Sequence, residues 1–200
     1  MDRWSGDLLS QLYCFRYSCD MTTADKYRNV VRELALDNYG YVTTRAAAAA
    51  GVPPIEMPKL AQRGGLENVA YGLYRVPFVP VHDLNQYAEA VLRAGDGAFL
   101  RGESVLAMFG LADVNPRRIK VAARRRARAN FPPFMEVTRA ETDARTTRYE
   151  GIESQTVEDA LLECRGRIEI TRLMEAAREA RDRGLLTGAQ LRHVRKALKP

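Results

Sequence analysis

Between residues 23 and 76, turn-forming residues cut the chain into short segments whose order few folds accept. Tyr27, Val30, Val31, Leu34 and Ala35 recur at helical spacing, which predicts an amphipathic helix to about Asp37. Asn38-Tyr39-Gly40 ends it, because Asn and Gly tolerate the left-handed conformation of a helix stop. Tyr41-Val42 reads as a short extended piece. Thr43 or Thr44 then caps a second helix over 45–50, closed by Gly51. A third helix is expected from Pro53 or Pro54 to about Arg63, since proline is tolerated in a first turn. Pro58 lies inside that span and demands either a late start or a kink. Gly64-Gly65 stops the helix. Segments 66–69 and 73–76 alternate around Ala70-Tyr71-Gly72 and predict a hairpin. Helix, strand, helix, turn, helix and hairpin is the order of a winged helix-turn-helix, in which the third helix enters the DNA major groove. The alanine run 46–50 would let that helix pack closely.

Each part of such a unit has its own candidate contacts. Thr43, Thr44 and Arg45 start the second helix and are candidates for phosphate. Lys59, Gln62 and Arg63 are the long donors available to base edges, and Glu56 could accept from a cytosine amino group. Asn68, Tyr71 and Arg75 on the hairpin could reach the backbone, although Tyr71 and Tyr74 could also pack the hairpin onto the core. The third helix is only mildly basic. Binding would then need a dimer, two copies per operator, or help from elsewhere in the chain.

The whole chain of 200 residues carries a net charge of +6 with a pI near 9.4. Residues 1–20 sum to −1, 21–80 to +2 and 81–200 to +5. Arg117, Arg118, Lys120, Arg124, Arg125, Arg126 and Arg128 form a dense run without an acid among them. That run suits a phosphate or acidic-protein contact as well as a solvated loop. Residues 1–22 read as an extension, with Met21 a natural start. Residues 77–82, with Pro77 and Pro80, read as a linker, and 83–200 as a second domain. In that domain helices are expected at 84–93 (capped by Asp83), up to Phe109, from Thr156 to Cys164, over 168–183 with Ile170 inward, and after Thr187. Strands are expected at 98–100, 119–122, 134–138 and as one piece at 147–152. The fold class expected is α+β: an N-terminal winged helix-turn-helix with a C-terminal mixed α/β domain.

No run of 18 apolar residues predicts a membrane span. Cys14, Cys19 and Cys164 lack metal-ligand spacing, and a reduced cytoplasmic compartment follows from such cysteine usage. Enzyme signatures are not met. Ser104 lacks the glycines of a nucleophile elbow. No phosphate-binding glycine motif occurs. His82 and His193 read as surface or satisfied histidines. Glu158, Asp159 and Glu163 read as helix-start and surface charges, so no catalytic, metal or cofactor site is expected.

Several stretches resemble a known family. Leu60-Ala61-Gln62-Arg63-Gly64-Gly65-Leu66 followed by Gly72-Leu73-Tyr74-Arg75-Val76-Pro77, and then the run from Gly102 to Asp113, resemble the AbiEi-type antitoxins of type IV toxin–antitoxin systems. Asn115-Pro116-Arg117-Arg118-Ile119 and Thr156-Val157-Glu158-Asp159-Ala160-Leu161 fit later elements. Phe109 stands where the family commonly has His, and Glu158 where it commonly has Arg. The resemblance implies double-stranded operator DNA and a cognate nucleotidyltransferase-like toxin as partners, with the C-terminal domain providing most of the antitoxin activity. The other reading is a stand-alone winged-helix transcription regulator whose C-terminal domain senses a ligand or dimerises. A third, a nuclease with a DNA-targeting domain, needs a convergent acidic cluster with a nearby Lys.

Overall fold

The first helix, α1 (Thr23–Leu36), places Val31 and Ala35 on one face, and both are fully buried in a small core. That core is one of two in the computed structural model, which describes residues 23–124 and 131–199. Strand β1 (Tyr41–Thr43) follows, then α2 (Thr44–Ala49), α3 (Glu56–Gln62), β2 (Glu67–Ala70) and β3 (Leu73–Arg75). The strands form one antiparallel sheet in the order β1-β3-β2, with Val42 opposite Tyr74 and a bulge between Asn68 and Ala70. Thr43 is the cap of α2: its hydroxyl accepts from the Ala46 amide at 3.0 Å. Helix α3 starts late, at Glu56, so Pro58 falls in its first turn, where no intrahelical donor is needed. Met57 and Leu60 point into the core.

The segment expected as a linker is not free of the first core. Val79 is 7% exposed and packs in it, and its carbonyl accepts from Arg75 at 3.3 Å. Helix α4 (Asn85–Ala94) then opens without a side-chain cap, which corrects the expectation for Asp83. Asn85 takes a different role. Its side-chain oxygen accepts from the His82 amide at 2.6 Å, and its amide group donates to the Tyr39 carbonyl at 2.7 Å.

The second core is built on a five-stranded sheet in the order β6-β5-β4-β8-β7. Its strands are β4 (Phe99–Leu100), β5 (Ile119–Ala123), β6 (Met135–Arg139), β7 (Thr146–Tyr149) and β8 (Ile152–Gln155). β4 runs antiparallel to β5 and parallel to β8, while β5 and β6 are parallel. The single strand expected at 147–152 is instead the hairpin β7–β8, turned at Glu150 and Gly151, both at positive φ. Helix α5 (Glu103–Met108) follows Gly102, whose φ is +52°; a Cβ there would lie 2.8 Å from a Glu163 carboxylate oxygen. Three further helices complete the core: α6 (Val157–Glu163), α7 (Ile170–Asp182) and α8 (Gly188–Leu198). Thr156 and Thr187 cap α6 and α8, the latter with a reciprocal Gln190 capping box. Ile170 was expected inward and is 38% exposed, because α7 begins there and buries Leu173, Ala176, Ala177 and Ala180 instead. The chain is α+β, its helices packed with one three-stranded and one five-stranded sheet.

Candidate nucleic-acid interface

While Met57 and Leu60 are buried, Pro58, Lys59 and Gln62 of α3 and Arg63 at its end are all exposed. Lys59 is partly engaged, since its ammonium lies 2.7 Å from Glu56. Gln62 and Arg63 are the open donors of that face. The hairpin β2–β3 stands beside it. Tyr71 at the tip is fully exposed, and Asn68 is exposed on β2, whereas Tyr74 is 5% exposed and packs in the core. The tip is tied to the start of α2. The amide and hydroxyl of Thr44 both donate to the Gly72 carbonyl, at 2.8 and 3.3 Å.

Several candidate side chains already have partners. The Thr43 hydroxyl caps α2, and the Thr44 hydroxyl is spent on Gly72. Arg45, though exposed, is ion-paired with Asp96 of the second half. Arg75 is turned inward, donating to Val79 and lying 3.6 Å from Glu67, so its guanidinium holds the hairpin rather than reaching outward.

Among the described residues, the arginine-rich run is divided between the two ends of β5. Arg117 and Arg118 precede β5 and are exposed, Lys120 pairs with Glu103 at 3.1 Å, and Arg124 lies beyond the other end of the strand. At about 3.3 Å per residue, roughly 20 Å separates Arg118 from Arg124. Arg125, Arg126 and Arg128 lie outside the described residues. Arg124 lines a cleft of ≈ 920 Å³ between the two halves, together with Arg45, Tyr71 and Arg148. Asp37, Asp96 and Glu153 line it too, and Arg148 pairs with Glu153, so the cleft is electrically balanced. A nucleic-acid groove would carry a positive excess.

Contacts between the halves are specific. The Tyr39 hydroxyl donates to the Glu150 carbonyl at 2.6 Å. The Tyr41 hydroxyl donates to Glu89 at 2.7 Å, and Glu89 also holds Arg93 at 2.7 Å. Burial and the neighbouring Glu89 carboxylate push the Tyr41 phenol up to about 12.

One polar centre has little signature in the sequence. Glu158, expected at the surface, is 3% exposed. Its carboxylate lies 3.0 Å from Arg145, 3.3 Å from Gln190 and 2.7 Å from the Nδ1 of His193. Burial alone would raise its pKa, but the hydrogen bonds from His193 and Gln190 and the Arg145 charge outweigh burial and hold it below the usual carboxylate range. Arg145 also clasps Asp159, and these contacts raise its own pKa. The Thr156-x-x-Asp159 spacing marks the helix start, but no local pattern connects Glu158 to a histidine 35 positions away. Ser104 and Cys164 are both fully buried. The Ser104 hydroxyl accepts from the Lys120 amide at 2.7 Å, and burial, chiefly, pushes the Cys164 thiol up to about 12. Among the described residues, no helix is long and apolar enough to cross a membrane.

No family model and no curated protein matches the chain. Among solved structures, the chain is similar to the RV2827C protein from Mycobacterium tuberculosis, with 16% identity and a TM-score of 0.44 over 84% of this chain and 71% of that one.

Proposed function

We propose that the chain is a DNA-binding antitoxin of the cytoplasm. In this reading residues 23–76 act as a winged helix-turn-helix that represses the chain's own operon. The second domain neutralises a nucleotidyltransferase-like toxin encoded nearby, without catalysis of its own. One observation carries the DNA half: α3 turns Lys59, Gln62 and Arg63 outward next to a hairpin whose tip, Tyr71, is fully exposed and tied by Gly72 to the start of α2. Such a helix fits the major groove and such a hairpin the adjacent backbone or minor groove. The toxin half is supported by the AbiEi resemblance of the runs at 60–66, 72–77 and 102–113.

Replacing Lys59 and Arg63 together by alanine should weaken binding to the operator region about tenfold or more in a gel-shift assay at physiological salt. Unchanged binding would remove α3 from the interface. Co-expression with an adjacent nucleotidyltransferase gene tests the other half: growth that the chain fails to restore would leave a transcription regulator as the surviving function.

A further inference from the structure

The last two helices and the loop before them carry a positive excess as large as that of the whole chain. Residues 165–199 contain ten Lys and Arg side chains and four carboxylates, a net +6 that equals the net charge of all 200 residues. Everything else is balanced. Helix α8 has no carboxylate at all; Arg192 and Lys196 stand one turn apart on it, and Lys199 follows just past its end. All three are exposed and pair with no carboxylate among the described residues. Like charges at i and i+4 repel, while the C-terminal end of the helix dipole favours Lys196 in the last turn. Arg181 of α7 adds to this cationic stripe. A Cβ placed on Gly188 would meet Arg192 Nη1 at 3.6 Å and Arg181 Nε at 4.0 Å, so these two cations sit side by side.

The stripe runs into a shallow apolar hollow. The loop between α6 and α7 forms a depression of ≈ 530 Å³ lined by Arg165, Arg167, Ile168, Glu169 and Ile170. Arg165 donates to the Lys199 carbonyl at 3.2 Å, which joins the hollow to the end of the stripe. We propose that this joined surface of α8 and the α6–α7 loop docks an acidic protein segment that carries an apolar side chain. The cations attract its carboxylates, and the apolar side chain buries against Ile168 and Ile170. A nucleic-acid backbone supplies charge but no apolar anchor for Ile168 and Ile170. None of these residues belongs to the DNA-binding unit, so the inference stands apart from that reading.

The test uses the full-length chain and a fluorescent Glu-rich peptide with one central Leu, followed by anisotropy at physiological salt. The paired variant Arg192→Glu/Lys196→Glu should bind the peptide about tenfold more weakly. Lys26→Glu/Arg139→Glu changes the net charge equally on other exposed sites and should leave binding within about twofold. Replacing the central Leu by Gly should weaken binding to the unaltered chain, and circular dichroism confirms that each variant is folded. Failure of the peptide to bind overturns the proposal. So does equal loss in both variants, or equal binding of the Leu and Gly peptides. Loss of binding to a random DNA duplex with peptide binding intact would make the stripe a nucleic-acid surface and also overturn it.

Discussion

Glu158 shows how a single side chain can organise a helix layer. Its carboxylate gathers Arg145 from the loop before β7 and Gln190 and His193 from α8, fastening α8 to the start of α6. Glu158→Gln keeps the shape but removes the charge, and should cost about 1–3 kcal/mol at neutral pH because the Arg145 guanidinium loses its charged partner there and an amide NH2 faces donors in place of one acceptor oxygen. The pH dependence has a definite sign. The folded-state pKa is depressed, so the contribution is complete above the ordinary carboxylate value of 4.5 and is lost as pH falls through the lower folded value. Urea unfolding at neutral and acid pH should therefore show the gap between wild type and Glu158→Gln closing in acid. A gap of constant size would mean that the charge of Glu158 is not what holds α8. Nothing local in the sequence announces this centre. Helix-start acids are common, and the residues that bury this one are brought in by tertiary packing.

At the scale of elements, the N-terminal segments were legible because each is bounded by residues with a steric reason to stop or start a helix. Thr43, Gly51, Gly64 and Gly72 fall where the backbone needs a cap or a positive φ. Pro58 poses a choice between a kink and a late start, and the structure has the late start. Pro58→Ala should then lower stability by at most about 1 kcal/mol, through the greater freedom of the unfolded chain. A proline kinking a helix interior would instead give a gain of about 3 kcal/mol on replacement. Thermal unfolding distinguishes the two. Less was legible in the second domain. Asp83 has the chemistry of a cap, but Asn85 is drawn into place by the Tyr39 carbonyl, a partner 46 residues away. The β7–β8 hairpin turns on Glu150-Gly151, a pair weaker as a turn signal than Asn-Gly, so its two strands read as one. Of the candidate interface, the exposed face of α3 was readable from periodicity, whereas the sequence left Tyr71 open between reaching outward and packing, and the structure exposes it. The inward turn of Arg75 and the pairing of Arg45 with Asp96 depend on long-range neighbours and were not.

Across the whole molecule, a set of specific polar contacts joins the two cores. Asn85, 4% exposed, bridges the Tyr39 carbonyl and the His82 amide, while Tyr39 and Tyr41 reach across to Glu150 and Glu89. Asn85→Ala leaves two backbone groups short of a partner and should cost about 1–3 kcal/mol. Because that loss falls at the junction, chemical unfolding should separate into two steps, seen as different midpoints for probes placed in each half. A single coincident transition would show that the remaining contacts suffice to couple the halves.

The placement of charge in residues 165–199 has a kinetic consequence. A chain whose charges sum to zero over residues 1–164 and to +6 over residues 165–199 carries its charge unevenly. In dilute salt it turns in the field of an anionic partner before touching it, presenting α8 first. Encounter at that end is then accelerated, and the acceleration fades as salt shortens the reach of the field. The orientation of first contact is thus set by the tail of the chain, whichever surface finally makes the complex.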